Sequence, residues 1–195
     1  MRLVVLISGS GTTLQNFIDR TRDGRLDATI LGVISSKPGV LGVERARAAG
    51  LPVAFVEPKP RDTFSERVFD VVRTFSPDLV CLAGWLHLVT IPPDFRRKVV
   101  NIHPSLLPAF GGKGMYGHHV HEAVLKAGEP VSGCTVHYAD DTYDTGPIIL
   151  QRSVPVLSDD TPDALAKRVF EAECEAYPEA IRLLGGSNNH QRTDT

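Results

Sequence analysis

Arg2-Leu3-Val4-Val5-Leu6-Ile7-Ser8-Gly9-Ser10-Gly11-Thr12-Thr13 begins as a continuous apolar run and turns through two glycines into a segment, about Leu14 to Arg22, with helical spacing. A strand, a glycine loop and a helix in that order put unsatisfied backbone N–H groups at a helix start, where the helix dipole favours an anion. Two readings of Gly9 and Gly11 stand: a phosphate site, or a tight turn that needs glycine for its own sake. The third glycine of the dinucleotide fingerprint is missing, and Ile34-Ser35-Ser36 ends the second strand without an acid for a ribose hydroxyl. Thr12 follows Gly11, so the Gly-Lys-Ser/Thr ending of a nucleoside-triphosphate loop is missing too. A phosphate monoester, such as a ribose 5-phosphate, fits this loop better than NAD.

Working outward, Thr29 to Ser35 reads as a strand, Leu41 to Ala49 as a helix closed by Gly50, and Pro52 to Val56 as a short strand. A helix from Thr63 to Phe75 and a strand from Leu79 to Ala83 follow. Alternation of this kind predicts an α/β fold: a doubly wound, mostly parallel, Rossmann-like sheet with helices on both faces. Ligands of such sheets gather beyond the carboxyl ends of the strands, where Gly9 to Thr13, Gly84 to Val89 and Asn101 to His103 all fall. From Ala109 to His121 the chain reads as a glycine-rich loop. It is followed by a helix from Glu122 to Ala127, strands from Gly133 to Tyr138 and Ile148 to Val154, and a last helix from about Pro162 to Leu184 capped by Asp160 or Thr161.

With 195 residues and 42% hydrophobic content, one domain over 1–184 is expected, in halves 1–100 and 101–184, with a polar, flexible tail over 185–195. Lys and Arg total 21 against 23 Asp and Glu, without a basic stripe, which argues against a nucleic-acid partner. Cys81, Cys134 and Cys174 are scattered and read as reduced thiols. The apolar run at the N-terminus stops at Ser8, too soon for a signal peptide or membrane helix, so a cytoplasmic protein with no membrane partner is expected, as monomer or homodimer.

The chemistry concentrates in Asn101-Ile102-His103-Pro104-Ser105-Leu106-Leu107-Pro108. Lys98-Val99-Val100 is strand-like, so Asn101 and His103 sit at or just past its end and share a face. An amide that donates, an imidazole that can carry a proton and a nearby carboxylate suit acyl transfer between two bound substrates. Ser105 lacks the Gly-x-Ser-x-Gly elbow of a serine nucleophile. His118, His119 and His121 raise a metal site, but Glu122-Ala123-Val124-Leu125 does not complete His-Glu-x-x-His. His137 reads as a histidine of the sheet. Among Asp140, Asp141 and Asp144, the sequence leaves open which one faces a histidine.

Asn101 to Pro108, Gly133-Cys134-Thr135-Val136-His137-Tyr138 and Asp144-Thr145-Gly146-Pro147-Ile148-Ile149 together resemble the formyltetrahydrofolate-dependent formyltransferases, over nearly the whole chain. The resemblance is nearest to the member whose acceptor is phosphoribosylglycinamide. It implies transfer of a formyl group from 10-formyltetrahydrofolate as co-substrate, with no metal. By position it implies Asn101, His103 and Asp144 as the catalytic trio, Gly11, Thr12 and Thr13 around the phosphate, and Glu173 at the acceptor amine. Arg61, Leu86, His87, Leu88, Val89, Asn101, Asp140, Asp141, Thr142, Tyr143 and Asp144 are implied on the folate side. Thr13 stands where many members have Asn, and His87 where many have Arg. Two rivals remain: a formyltetrahydrofolate hydrolase of the same superfamily, and a noncatalytic sugar-phosphate-binding module on a similar fold.

Overall fold

The structure, a computed structural model, describes residues 1–189. Among the described residues there are seven strands and five α-helices, and the strands follow the order β3-β2-β1-β4-β5-β6-β7. Two compact units are formed. Met1–Asn101 and Tyr138–Gly146 make the first; Ile102–His137 and the chain from Pro147 onward make the second. The acidic turn after Tyr138 belongs with the N-terminal unit.

In the first unit, β1 (Arg2–Ile7) is the central strand: Leu3 to Ile7 are 0% exposed. It pairs in parallel with β2 (Thr29–Ser35) on one side and β4 (Leu79–Leu82) on the other; β3 (Val53–Phe55) extends β2 and β5 (Val99–His103) extends β4, also in parallel. Burial on both faces is what a continuous Leu/Val/Ile run is built for, since alternation with polar residues would leave one face wet. Val4 and Leu6 of β1 and Val80 and Leu82 of β4 pack with Val68, Phe69 and Val72 of α3 (Phe64–Phe75) in one core. The α3 residues recur at helical spacing, so the helix presents one apolar stripe. Phe75 completes the contact by lying on bare backbone: a Cβ on Gly32 of β2 would come within 2.4 Å of its ring.

Alternate residues of the same strands face the other helices. Ile7 reaches α2 (Leu41–Ala48) at Gly42, where a Cβ would lie 2.7 Å from the Ile7 side chain, and α1 (Thr12–Arg22) packs against α2. Helices therefore cover both faces of this parallel sheet, as the alternation predicted.

In the second unit, β6 (Val131–Tyr138) and β7 (Ile148–Pro155) run antiparallel, with α5 packed on β7 and α4 (His118–Ala127) packed on α5 (Pro162–Asn189). Thr161 caps α5, its Oγ1 accepting the N–H of Ala164 at 3.2 Å, while Asp160 accepts from Leu157 and Arg168.

Several boundaries differ from the sequence reading. Helix α1 starts at Thr12, because Gly11 in the left-handed region (φ 68) turns the chain immediately into the helix. Strand β5 continues through Asn101 to His103, so both residues lie within the strand. Helix α4 starts at His118, which makes the histidine cluster its first turn rather than a loop. Helix α5 runs through Gly185 and Gly186 to Asn189: glycine costs about 1 kcal/mol in a helix, which a nucleated, packed helix tolerates. The expected tail is therefore helical as far as Asn189, and 190–195 lie outside the described residues.

Gly11 and Gly42 touch backbone to backbone; a Cβ on Gly11 would sit 2.5 Å from the Gly42 Cα, at a positive φ. Gly50 also has positive φ (73) but open space around it. Gly50→Ala should cost about 1 kcal/mol from the left-handed strain alone. Gly11→Ala should cost roughly twice that or more, because two rigid backbones would also have to separate. Paired thermal denaturation reads the difference; equal losses would mean that the close approach carries no energy.

Candidate functional site

The order β3-β2-β1-β4 reverses direction at β1, and the loops leaving β1 and β4 lie side by side at that switch. Ser8 is the junction. Its N–H donates to Gly84 O at 3.1 Å, and its hydroxyl accepts from Leu86 N–H at 3.1 Å and from the Ser36 hydroxyl at 2.8 Å, so the ends of β1, β2 and β4 meet on one buried residue. Gly11 then opens α1, whose first turn holds no acid and whose start has no side-chain cap. Thr12 and Thr13 are the first helical residues, so Gly11, Thr12 and Thr13 together form a helix start suited to an anion.

The loop after β4 is built on rings. Trp85 stacks on Phe64 with centroids 5.8 Å apart, and His87 meets both edge-on at 5.6 and 5.4 Å. Leu86 and Leu88 project outward, 47% and 42% exposed, while Val89 is buried. Burial pushes the His87 imidazole below its ordinary pKa, and the positive charges of Lys37 and Arg61 add to the effect. His87 is therefore neutral at physiological pH, with Arg61, on an exposed loop, as a neighbouring charge. The Trp85 Nε1 and His87 Nε2 atoms are buried without a protein partner.

The acidic turn divides its labour. Asp140 accepts from Thr142 N–H and the Thr145 hydroxyl, each at 3.0 Å, and Asp141 accepts from Ile91 N–H at 2.8 Å, so both carboxylates hold the turn in shape. Tyr143 is 37% exposed. Asp144 has φ 59, uncommon outside glycine, and the Asn101 amide Nδ2 donates to its Oδ1 at 3.5 Å. Of the three carboxylates, Asp144 is the one brought to the end of β5.

In the second unit, His103 is 3% exposed with Nε2 2.8 Å from the carbonyl of Phe110. Ser105 is 1% exposed and donates to Ala109 O at 2.6 Å, a structural bond. His118 pairs with Glu122 at 3.6 Å and Asp163 at 3.4 Å, and His119 with Glu122 at 3.4 Å, whereas His121 turns inward at 4% exposure. No three metal-ligating side chains cluster among the described residues. His121, Pro104, Phe170 and Glu173 line a cavity of about 250 Å³. Part of Glu173 reaches solvent, yet desolvation pushes its carboxyl up to about 7. His137 is buried in β6.

Two participants escaped the sequence reading. The Phe110 carbonyl that holds His103 is a backbone group without a residue signature. The sequence reading sets His121 beside His118 and His119 in a loop, although its separation of three and four residues from Val124 and Leu125 places it toward the apolar side of a helix.

Comparison with known proteins completes the picture. Residues 1–181 match the family model described as Formyl transferase. The trifunctional purine biosynthetic protein adenosine-3 of Drosophila melanogaster is 44% identical over 192 residues, covering 94% of this chain but 14% of the fly protein. A chloroplastic phosphoribosylglycinamide formyltransferase of Arabidopsis thaliana is 41% identical, covering 94% of this chain and 65% of the plant protein. Glycinamide ribonucleotide transformylase 1 from Symbiobacterium toebii superposes with a TM-score of 0.88 at 41% identity, over 96% of this chain and 88% of that one. The phosphoribosylglycinamide formyltransferase of Bacillus halodurans gives 0.85 at 34%, over 94% and 95%. A match over residues 1–181, nearly the whole chain, means that this chain belongs to the formyl transferase family.

Proposed function

We propose that this protein transfers the formyl group of 10-formyltetrahydrofolate to the amine of 5-phosphoribosylglycinamide, giving formylglycinamide ribonucleotide and tetrahydrofolate for purine synthesis. The observation that carries the reading is the end of β5, where Asn101 donates to Asp144 and His103, two residues on, is oriented through Nε2 by a backbone carbonyl. A noncatalytic binder has no use for that arrangement.

The chemistry follows from what each group can donate. The acceptor amine attacks the formyl carbon, and the carbonyl π pair moves onto oxygen. The Asn101 amide and the imidazolium of His103, through Nδ1–H, stabilise that oxyanion; the Asp144 carboxylate favours the imidazolium and takes the proton leaving the attacking nitrogen, through water. When the oxyanion collapses, the bond from carbon to the folate nitrogen breaks and that nitrogen receives the proton. The phosphate of the acceptor goes to Gly11, Thr12 and Thr13 at the start of α1, and its amine to Glu173. The folate lies along Leu86, His87, Leu88 and Val89, with Arg61, Asn101 and residues 140–144 as further contacts. Since His87 is neutral, it offers this ligand a ring edge and not a charge.

No helix among the described residues is long and apolar enough to cross a membrane. Small-molecule substrates alone account for the site, and a cytoplasmic location with a monomer or homodimer as the working form is part of the same proposal.

Incubation with 10-formyltetrahydrofolate, with and without phosphoribosylglycinamide, should give rapid tetrahydrofolate release only when the acceptor is present; release independent of it would instead identify a hydrolase. Asn101→Ala should lower kcat by about two to three orders of magnitude, and Asp144→Asn should lower it comparably, with phosphoribosylglycinamide binding retained. Near-normal turnover in either would refute the assignment of the trio. For Glu173, a carboxyl raised from 4.5 to about 7 holds its proton more tightly in the folded state, so its contribution to stability is whole below 4.5 and is lost as pH rises through about 7. The stability of Glu173→Gln relative to the parent should therefore increase with pH over that window, by at most about 1.4 kcal/mol per pH unit. A pH-independent difference would show that the carboxyl is not desolvated.

A further inference from the structure

Resting on the assignment of His103 as the catalytic imidazolium, we propose that Thr135, with Gln151 laid over it, is a positioning residue that fixes which ring nitrogen of His103 carries its proton. The chain reverses after His103, between Ser105 and Phe110, where its peptide groups have no strand partner. Thr135 supplies them from β6, at 0% exposure. Its hydroxyl donates to Ser105 O at 2.7 Å and accepts from Leu107 N–H at 3.0 Å and from Gln151 Nε2 at 2.9 Å, which uses its full capacity of one donor and two acceptor sites. Gln151 Nε2 also donates to Leu107 O at 2.9 Å, and the Ser105 hydroxyl donates to Ala109 O at 2.6 Å. Ser105, Leu107 and Ala109, alternate members of the turn, are thereby tied down.

Phe110 itself takes φ 55, a strained conformation for a side-chain-bearing residue that persists only where its surroundings impose it. The outcome is a carbonyl directed at His103 Nε2, 2.8 Å away. A carbonyl can only accept, so Nε2 carries hydrogen in both charge states of the ring. In the neutral ring Nδ1 then offers a lone pair, and only the cation offers N–H there. The turn thus makes the Nδ1 hydrogen, the one assigned to the oxyanion, appear only when the ring is charged. A histidine without that carbonyl could place its single proton on either nitrogen.

The test combines 15N NMR of the imidazoles with steady-state kinetics against pH in the parent, Thr135→Val, Thr135→Ser, Gln151→Met and His103→Asn. In the parent, His103 should hold hydrogen on Nε2 throughout its titration. Thr135→Val should mix the two tautomers, lower kcat about tenfold or more with KM for both substrates little changed, and move the alkaline limb of kcat to lower pH, as loss of an oriented acceptor weakens the cation. Thr135→Ser, which keeps the hydroxyl, should recover most of the loss. Gln151 lies at the surface, so Gln151→Met should fold even if Thr135→Val does not, and should show the same changes on a smaller scale. An unmixed tautomer and an unshifted limb in Gln151→Met, and in Thr135→Val where it folds, would overturn the proposal, even with a lowered kcat. His103→Asn separates this from the underlying reading: full turnover in that variant would remove the catalytic role of His103, whatever the tautomer in the parent.

Discussion

The constraint from which the first unit follows is the two-sided burial of β1. A strand with neighbours on both edges and helices on both faces has nowhere to bring its outgoing chain except past its carboxyl end, and the strands beside it send their connections to opposite sides. The space left between those connections is where the glycine loop and the loop after β4 meet. Ser8 ties them together with three bonds, and Gly11 and Gly42 allow α1 and α2 to approach at backbone distance. The anion-suited helix start is therefore a consequence of packing: the same missing side chains that let the helices touch leave the N–H groups of α1 uncovered.

The second unit works through polar groups taken out of water. Burying a hydroxyl or peptide group without a partner costs about 1–3 kcal/mol, so the turn from Ser105 to Phe110 is steadied where Thr135, Gln151 and Ser105 satisfy Ser105 O, Leu107 N–H, Leu107 O and Ala109 O. That satisfaction has a chemical by-product, the directed Phe110 carbonyl. Glu173 stands at the opposite extreme. With only desolvation to set its pKa, it is poised near neutrality, where an arriving cation would find it readily ionised. The unpartnered Nδ1 of His121 lies on the residue that shares its cavity.

Most elements could be read from the chain because their signals are local. The apolar run of β1, the glycine that ends α2 and the stripe of α3 each report a single strand or helix, and each was found within a residue or two of its expected limits. The misplaced limits are those set by contacts elsewhere. Helix α4 takes in three histidines that composition reads as loop, because Val120, His121 and Val124 have a buried face to fill. Helix α5 passes through two glycines because its earlier turns are already packed.

The candidate site divides in the same way. By itself the sequence determined which side chains could do the chemistry, since an amide, an imidazole and a carboxylate in long, specific motifs are properties of residue type and order. It also determined the glycine loop, because a positive φ is a demand on one residue. Only the tertiary structure decided which of Asp140, Asp141 and Asp144 meets Asn101, and that the carbonyl of Phe110 meets Nε2 of His103. The reason is physical: three carboxylates within five positions are chemically equivalent until folding gives two of them backbone and hydroxyl donors, and a carbonyl acquires a direction only when the turn that carries it is fixed from another strand.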